Sequence, residues 1–393
     1  MHPLHRLWRG LPQDARRRLL IQGTALVAPH PDQPAPLAQA GIAVAGELGR
    51  ASGLGEGARL MLHGLDALRV PAWPMQRGQP LPPDGAVLVL HVNAPQVPLA
   101  LLRLGRKALR GRRVVGYWAW ELPVAPESWR AGLAFVHEVW APSRFTAAAL
   151  EPLLPGRVRV VPHPVAAHPP APSALGRADF GLPTDAVVTL VAFNLASSFE
   201  RKNPLGAIAA HRAAFGDRAD RVLLLRVGNL HHFPADFAQL RAAAAHPNIR
   251  IDTRTLPAAD NYALIAACDI VLSLHRSEGF GLIPAEAMLL GVPVVATDWS
   301  GNVDFMDAGC AAMVPARLIP AHDPRGVFMA PGAVWADPDL GVAAAHLVRL
   351  ADDRAARQAL GQAGQAAARA RLGAGPLAAA VRALGLPAVW PSR

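Results

Sequence analysis

Short apolar runs alternate with longer stretches of helical period along most of the chain. Continuous apolar runs of about four to eight residues are typical of strands buried on both faces of a parallel sheet. The first half contains GIAVAGEL, AVLVLHV, RRVVGYWAW, EVWAPS and VRVVPHPV. The second half contains VVTLVAFN, RVLLLRVGN, IRIDTRTL, DIVLSLH, PVVATD and CAAMVP. We therefore predict an α/β protein with two series of βα units around two parallel sheets.

A segment dense in proline and glycine, residues 166–183, separates the two series and is predicted to be a linker. The chain of 393 residues has the length of two domains. We predict a first domain over residues 1–170, a second over residues 183–372, and a final helix over residues 373–393. Open sheets of this kind bind ligands at the carboxyl ends of their strands, so the functional site is expected between them.

The net charge of +10 belongs almost entirely to the first half. Residues 1–165 contain 19 basic and 10 acidic side chains, whereas residues 166–393 contain 20 and 19. This asymmetry favours an anionic partner for the first domain, such as a phosphorylated substrate or a membrane surface. Nucleic acid is disfavoured, because the basic residues are not interleaved with aromatic ones and no nucleic-acid motif is present.

Two basic and apolar segments are candidates for membrane contact. The N-terminal stretch mixes arginines with leucines and Trp8, and residues 103–113 hold six basic side chains in eleven positions. Either segment fits contact with anionic lipid headgroups or an ordinary solvated helix face. An apolar run follows Arg18, but Gln22 and Gly23 interrupt it, which favours a first structural segment over a signal peptide.

The cysteine content and hydropathy favour a cytoplasmic protein, with the inner face of the cell membrane as the place of any lipid contact. Cys268 and Cys310 are too few for a disulfide framework or a metal cluster. No window approaches the roughly 18 uninterrupted apolar residues of a membrane span.

The most informative local feature is a strand, a glycine turn and a helix. The turn Gly279-Phe280-Gly281 follows Glu278, and the helix after it contains Glu286. Backbone N–H groups at such a helix start favour an anion. Carboxylates eight positions apart could grip two sugar rings on either side of a diphosphate. The spacing alone fits equally well an ordinary strand–helix turn with Glu286 on the helix surface.

The segment HRSEGFGLIPAEAMLLGVPVVATDWSGNVDFM resembles the E-x7-E signature of family-four glycosyltransferases, which are retaining enzymes of the GT-B fold. AFNLASSFERKNPLGAIAAHRAAF is similar to the segment that opens their second domain. GYWAWELPVAPESW, EVWAPSRFTAAAL and VVPHPV resemble bacterial polysaccharide mannosyl- and rhamnosyl-transferases. The resemblance covers roughly residues 40–350 and is more specific in the second domain. It implies two Rossmann-like domains that face each other across a cleft. Residues 1–170 would bind the acceptor, residues 183–372 would bind the nucleotide-sugar donor, and the helix over residues 373–393 would pack back on the first domain.

The resemblance also implies a role for each residue of the motif. Glu278 would contact hydroxyls of the transferred sugar, Glu286 the ribose, and the amides of residues 279–281 the diphosphate or sugar. Lys202, with Arg201 beside it, would neutralise the leaving diphosphate, whose developing charge a preorganised cation stabilises. The chain has two lysines among 39 basic residues, which favours a functional role for Lys202 over a solvated helix start.

One position departs from the family pattern. Many members carry an arginine six residues before this lysine, and here that position is Ala196. Either Arg201 replaces the missing cation, or another basic residue such as Arg144 reaches in from the first domain.

The first domain contributes two weaker candidates. GELGRASGLGEGARL predicts a glycine loop with Gly53, Gly55 and Gly57 between a strand and a helix, facing the donor phosphates in the GT-B context. The loop lacks the full G-x-G-x-x-G form of a dinucleotide site. Trp120 and Glu121 follow a strand and are predicted to contact the donor sugar, where many family members use a histidine. The alternative is a core aromatic strand with a capping glutamate.

No metal or other cofactor is expected. Asp337-Pro338-Asp339 is the chain's match to the D-x-D pair of metal-dependent transferases, but a helix-initiating turn explains it better. His231-His232 has no companion ligands and is predicted to be a loop pair. The resemblance implies a retaining reaction. In this family the acceptor hydroxyl is commonly described as attacking on the face that the diphosphate leaves, without an assigned enzymic base.

The predicted function is transfer of a hexose from a nucleoside-diphosphate sugar to a glycan or lipid-diphosphate-linked acceptor in surface polysaccharide biosynthesis. GDP-mannose is the first choice of donor, followed by UDP- and dTDP-sugars. The alternatives are a non-catalytic nucleotide-sugar-binding subunit or another GT-B enzyme such as a nucleotide-sugar epimerase. A phosphorylase would need a covalent pyridoxal site, and neither Lys107 nor Lys202 lies in a recognisable one.

Overall fold

A computed structural model describes residues 13–50, 52–76, 78–328 and 330–387. Within these ranges two six-stranded sheets form the centres of two domains, which confirms the predicted α/β class. The N-terminal stretch around Trp8 lies outside the described residues. No helix in the described part of the chain combines the length and the apolar character needed to cross a membrane.

The first sheet is parallel throughout, with the spatial order β2-β1-β3-β4-β5-β6. Its strands are β1 (Ile42–Gly46), β2 (Ala72–Met75), β3 (Val87–His91), β4 (Val114–Tyr117), β5 (Glu138–Ala141) and β6 (Val158–Val160). The predicted runs form five of these strands. The edge strand β2 was not predicted, because its sequence AWPM contains a proline and only one fully buried residue.

Four helices accompany this sheet: α1 (Gln13–Val27), α2 (Gly53–Ala67), α3 (Val97–Leu104) and α4 (Arg144–Leu150). Helix α2 buries Ala58, Met61 and Leu65 against one face of the sheet. Side chains of Leu88 and Leu90 on the other face join a second cluster with Leu101 of α3. The sheet is therefore covered on both faces, which explains its continuous apolar strands.

The second sheet has the order β12-β11-β10-β7-β8-β9, the doubly wound order with its switch point between the first and fourth strands. Its strands are β7 (Val187–Asn194), β8 (Arg221–Gly228), β9 (Ile249–Asp252), β10 (Ile270–Ser273), β11 (Val294–Thr297) and β12 (Ala312–Val314). The helices here are α5 (Phe199–Lys202), α6 (Pro204–Phe215), α7 (Pro234–Ala243), α8 (Ala258–Ala266) and α9 (Leu282–Leu289). All six strands were predicted.

An antiparallel hairpin, β13 (Ala316–Pro320) and β14 (Val334–Pro338), follows the second sheet and was not predicted. Its strands are partly exposed and so lack an apolar run. Phe328, Ala333 and Trp335 nevertheless lie in the same buried cluster as Trp118 and Trp129 of the first domain. The hairpin and its loop therefore tie the two domains together on one side of the cleft.

Three helices close the described chain: α10 (Leu340–Asp352), α11 (Arg354–Arg371) and α12 (Gly375–Ala383). Gly373 lies in the short interruption between α11 and α12. Leu377 and Val381 of α12 lie in one buried cluster with Met61 and Leu65 of α2. The last helix thus packs on the first domain.

Candidate active site

A cavity of about 900 Å³ lies between the two domains at the carboxyl ends of both sets of strands. The first domain lines it with residues that follow strands β1, β3, β4 and β6, namely Arg50, Asn93, Glu121 and His163. The second domain lines it with residues at or after the ends of β7, β8, β9 and β10, namely Asn194, Gly228, Leu256 and Glu278. Such a crevice is where open α/β sheets bind their ligands.

Lys202 and Glu278 form an ion pair on the wall of this cavity. Asn203 holds the two segments together, because its Nδ2 donates to the Leu274 carbonyl at 2.9 Å while its Oδ1 accepts from the first turn of α6. Burial would raise the pKa of Glu278, but the charges of Lys202 and Arg201 outweigh it and lower the pKa to about 2. Glu278 is therefore ionised at neutral pH.

Arg201 lies beneath this pair, with only 3 % of its side chain exposed. Its Nη1 donates to the Ser277 carbonyl at 2.7 Å and lies 3.3 Å from a carboxylate oxygen of Glu278. Its Nη2 is 3.8 Å from Glu121, and the guanidinium sits over the ring of Phe328. Arg201 is thus committed to protein acceptors and holds two carboxylates in place, whereas Lys202 is the more open cation.

Glu121 and Trp120, adjacent in the chain, point in different directions. Glu121 lines the cavity, where burial raises its pKa and the charge of Arg201 opposes that rise. Trp120 is buried in the core, stacks on Phe328 and donates from Nε1 to the Val124 carbonyl at 2.9 Å. The predicted sugar contact of Trp120 is wrong, because consecutive side chains of an extended segment alternate in direction and only Glu121 faces the cleft.

The turn Gly279-Phe280-Gly281 leads directly into α9. Gly281 has φ +104°, a conformation that glycine adopts without steric cost, and no side chain caps the helix that begins after it. Ser143 of the first domain donates to the Gly279 carbonyl at 2.6 Å. The ring of Phe280 packs edge-on against His163. The turn is therefore fixed by both domains, and uncapped helix-start amides lie at the cavity.

Glu286 lies one turn into α9 and is 8 % exposed. Burial raises its pKa to about 8, and the negative charge of Glu56 across the cleft adds to the effect. Glu56 itself pairs with Arg59, one turn further along α2. Glu286 is therefore largely protonated at neutral pH, in contrast to Glu278.

The predicted glycine loop of the first domain is part of a helix. Gly53, Gly55 and Gly57 all lie in the first turns of α2, whose start is capped by Ser52 accepting from the Gly55 amide at 3.1 Å. A Cβ at Gly55 would lie 2.5 Å from the Glu47 carbonyl, and one at Gly57 would collide with the ring of His163. Gly55 and Gly57 therefore allow the close approach of α2 to the strand ends, whereas Gly53 has open space around it and lines the cavity.

Arg144 does not reach into the cavity. Its backbone amide and its Nε bond to Asp304 of the second domain at 2.7 and 3.1 Å, and its side chain is largely exposed. This prediction is wrong, because the N-terminus of α4 faces the neighbouring Asp304 and not the cleft. Arg50 and Arg59 line the cavity from the first domain instead, and Ala196 lines it from the second. Their position soon after β1 is the sequence signal that could have identified them.

His163 is another cleft residue that the sequence did not reveal. Its Nδ1 lies 3.1 Å from the Tyr117 hydroxyl, whose proton goes to the Val161 carbonyl. Burial lowers the pKa of His163 to about 4, so the ring is neutral. The first domain therefore does place a histidine at the cleft, after β6 rather than after β4.

The two metal-like motifs have other roles. Asp339 caps α10 by accepting from the amides of Gly341 and Val342 at 2.9 and 3.0 Å, which confirms the predicted helix-initiating turn. His231 and His232 lie in a short 3₁₀ turn. Across the residues described by the structure, no group of three or more His, Cys, Asp or Glu side chains is arranged to hold a metal ion.

Two parallel-sheet domains that face each other across a cleft are the GT-B architecture. Solved glycosyltransferases have the same architecture. Anabaena Alr3699/HepE, in complex with UDP and glucose, superposes with a TM-score of 0.62 at 14 % identity, covering 88 % of this chain and 99 % of that one. WaaG, a glycosyltransferase involved in lipopolysaccharide biosynthesis, gives 0.54 at 16 % identity, covering 87 % and 99 %. These likenesses confirm the predicted fold.

Residues 197–336 match the family described as glycosyl transferases group 1. D-inositol 3-phosphate glycosyltransferase of Saccharomonospora viridis is 30 % identical over 40 % of this chain and 43 % of that protein. The lipopolysaccharide core biosynthesis mannosyltransferase LpsB of Rhizobium meliloti is 38 % identical over 20 % and 22 %. The matches thus span less than half the length of these curated relatives. Over residues 197–336 the chain is thus similar to glycosyl transferases group 1, and its fold is that of the GT-B proteins.

Proposed function

We propose that this protein transfers a hexose, with retention of configuration, from a nucleoside-diphosphate sugar to a glycan or lipid-linked acceptor in surface polysaccharide biosynthesis. GDP-mannose is the first choice of donor. The observation that carries the proposal is the ionised carboxylate of Glu278, held by Lys202 and Arg201 immediately before the glycine turn. A fixed carboxylate there accepts hydrogen bonds from hydroxyls of the transferred sugar.

The leaving diphosphate would lie between Lys202 and the start of α9. Cleavage of the glycosidic bond develops negative charge on the diphosphate, and preorganised positive groups lower the energy of that transition state. Lys202 supplies a cation, and the uncapped amides at the start of α9 supply the positive end of a helix. These groups support transfer without a metal ion.

Retention follows, in this proposal, from attack by the acceptor hydroxyl on the face that the diphosphate leaves. The proton of the hydroxyl then passes to the leaving diphosphate, so no enzymic base is required. Glu278 is unsuited to that task, because a carboxylate with a pKa of about 2 is a weak base. Its constraint by two cations favours a binding role.

We place the acceptor at an anionic membrane because two surface segments of the first domain meet. Helices α1 and α3 pack together and expose several large apolar side chains: Leu19, Leu20, Leu26, Val27 and Leu102. Beside them lie exposed basic residues: Arg103, Arg106, Lys107 and Arg110. Arg112 is buried instead and donates to the carbonyls of Pro82 and Pro83. Exposed leucines next to clustered cations are typical of surfaces that rest on anionic headgroups.

Donor binding and transfer are tested by calorimetric titration with nucleoside diphosphates, followed by reactions of the corresponding sugar donors with lipid-linked acceptors. The proposal expects one nucleotide to bind, its sugar to be transferred in the presence of EDTA, and the product anomer to match the donor by NMR. An inverted anomer overturns retention, and loss of activity with EDTA overturns metal independence. If no nucleoside diphosphate binds, the proposed function is wrong.

Membrane contact is tested by sedimentation with vesicles that contain or lack anionic lipid. The triple variant Arg103→Gln, Arg106→Gln, Lys107→Gln should lose its preference for anionic vesicles. A matched triple variant on the second domain, Arg241→Gln, Arg349→Gln, Arg354→Gln, should keep it. Equal binding by both variants would contradict this placement.

A further inference from the structure

A half-buried arginine in the cleft forms no ion pair with a described carboxylate, although the charge of Asp252 on the next strand is near enough to oppose the lowering of its pKa by burial. Arg226 lies near the carboxyl end of β8 and lines the cavity. Asp252, its register partner on β9, pairs with Arg254 instead. Among the described residues Arg226 forms no ion pair within 4.0 Å, and its buried Nε has no hydrogen-bond partner. A guanidinium withdrawn from water without such partners is costly, so a ligand that supplies acceptors would bind well here.

Asn261 on α8 places an amide oxygen beside this guanidinium. The Nη2 of Arg226 lies 3.4 Å from Oδ1 of Asn261. The Nδ2 of Asn261 donates to the carbonyls of Leu256 and Pro257 at 3.0 and 3.2 Å, which fixes the amide with its oxygen towards Arg226. The cavity wall therefore presents N–H donors and one acceptor side by side.

The strand order places this pair at the end of the cavity away from Glu278. Moving across the sheet from β10, which leads to Glu278, one passes β7 and reaches β8 with Arg226. Arg226 alternates with Leu224 and Val222, so it lies on the sheet face covered by α8 and α9, the helix of Glu286. An extended nucleotide sugar with its hexose at Glu278 and its ribose at Glu286 would bring its base to this wall.

We infer that Arg226 and Asn261 read the edge of the donor's nucleobase and select a base with a carbonyl oxygen, guanine first, over one with an amino group at that position. This rests on the proposed function. A guanidinium only donates, and guanine offers it two neighbouring acceptors, O6 and N7, where adenine places an amino group beside N7. The ring N–H next to the carbonyl is matched by the oxygen of Asn261. Uracil likewise has a carbonyl oxygen where cytosine has an amino group.

The test uses two pairs of nucleotides, GDP with ADP and UDP with CDP, titrated calorimetrically against the full chain. The wild-type protein should bind GDP at least about tenfold more tightly than ADP, and UDP more tightly than CDP, because a well-placed arginine discriminates bases to this extent. In Arg226→Met both ratios should fall towards one. In the matched control Arg254→Met, which changes the exposed partner of Asp252 on the next strand, they should persist. Each ratio is measured on a single preparation, so partial misfolding of a variant does not imitate the result.

Asn261→Ser provides a second variant that keeps Arg226 and removes the fixed amide oxygen. This variant should lower the ratio of GDP affinity to ADP affinity, but the ratio should stay above one. Equal affinities in the wild type, or an unchanged ratio in Arg226→Met, overturn the inference and leave the proposed function standing. Failure of every nucleoside diphosphate to bind overturns both.

Discussion

Glu278 and Glu286 lie in one motif, eight positions apart, yet the protein gives their carboxyl groups opposite charge states. Both line the same cavity, Glu286 as a buried residue and Glu278 with 12 % of its side chain exposed. Two cations of the second domain surround Glu278 and lower its pKa to about 2. Burial without a cation, with Glu56 of the first domain nearby, raises the pKa of Glu286 to about 8. Two carboxyl groups whose environments separate their pKa values in this way are expected to have different roles.

The difference in pKa shows that two carboxyl groups of one motif can respond to different domains at the same cleft. The two cations that lower the pKa of Glu278 belong to its own domain. Glu286 is influenced by Glu56 on α2, so its state depends on how closely the first domain approaches. We therefore expect Glu278 to govern the transferred sugar and Glu286 to govern nucleotide binding.

The largest effect is expected for Glu278→Gln. Loss of an ionised contact to the reacting sugar should lower kcat by about 10²–10³, as removal of a preorganised polar contact typically does. Nucleoside diphosphate affinity should change little. The measurement is steady-state transfer together with calorimetric binding, with the exposed Glu127→Gln as the control. A Glu278→Gln variant that transfers normally would remove Glu278 from the sugar site.

Arg201→Met is expected to have the next largest effect, and on stability as well as rate. Removing one partner of a buried ion pair typically costs about 3–5 kcal/mol of unfolding free energy, because the other charge stays buried. The loss should appear in urea unfolding at pH 7. It should diminish in the double variant with Glu278→Gln, since no uncompensated carboxylate then remains. Additive losses would show that Arg201 does not hold Glu278.

Nucleotide affinity should depend on pH through Glu286. Ribose hydroxyls donate to the ionised carboxylate, so binding at pH below 8 releases the proton that the free protein carries there. Affinity should thus rise with pH, by about tenfold per unit at most, and level off above pH 8. In Glu286→Gln this component should vanish, while the ionisation of the nucleotide's own phosphate remains as a common background. Identical pH profiles for both proteins would contradict the assignment.

A smaller change is expected from Glu56→Gln. Burial is the larger cause of the raised pKa of Glu286, and the charge of Glu56 adds to it. Removing that charge should shift the midpoint of the pH profile to lower pH by a fraction of a unit. Glu47→Gln, on the same side of the cleft, is a suitable control. A midpoint that moves as far in the control would show that Glu56 has no specific influence.

Apolar runs predicted the two sheets, because strands buried on both faces depend on local sequence. The resemblance of two segments to a known family, rather than spacing alone, predicted that Glu278, Glu286 and Lys202 belong to the site. The states of the glutamates depend on contacts across the chain. Glu56 is far from Glu286 in sequence, and no local pattern indicates that the domains bring them together. The same limit explains why the predictions for Trp120 and Arg144 were wrong. The sequence does not show which side of an extended segment, or of a helix start, faces the cleft.

Elements without an apolar run were also missed. Strand β2 contains a proline, and the hairpin of β13 and β14 is partly exposed, so neither shows the period that identifies a buried strand. Arg226 was not predicted for another reason. Arginine is abundant in this chain, so one more arginine near the end of a strand is not distinctive. The position of Arg226 becomes informative only when Asn261 is found beside it.

The most direct test is a titration of the glutamate carboxyl groups by ¹³C NMR in the free protein, with Glu278→Gln and Glu286→Gln used to assign the two resonances. The charge states described above predict that Glu278 stays ionised down to about pH 2 and that Glu286 titrates near pH 8. Addition of a binding nucleoside diphosphate at neutral pH should ionise Glu286 and leave Glu278 unchanged. Titration of both groups together, close to the ordinary value for glutamate, would contradict the division of roles.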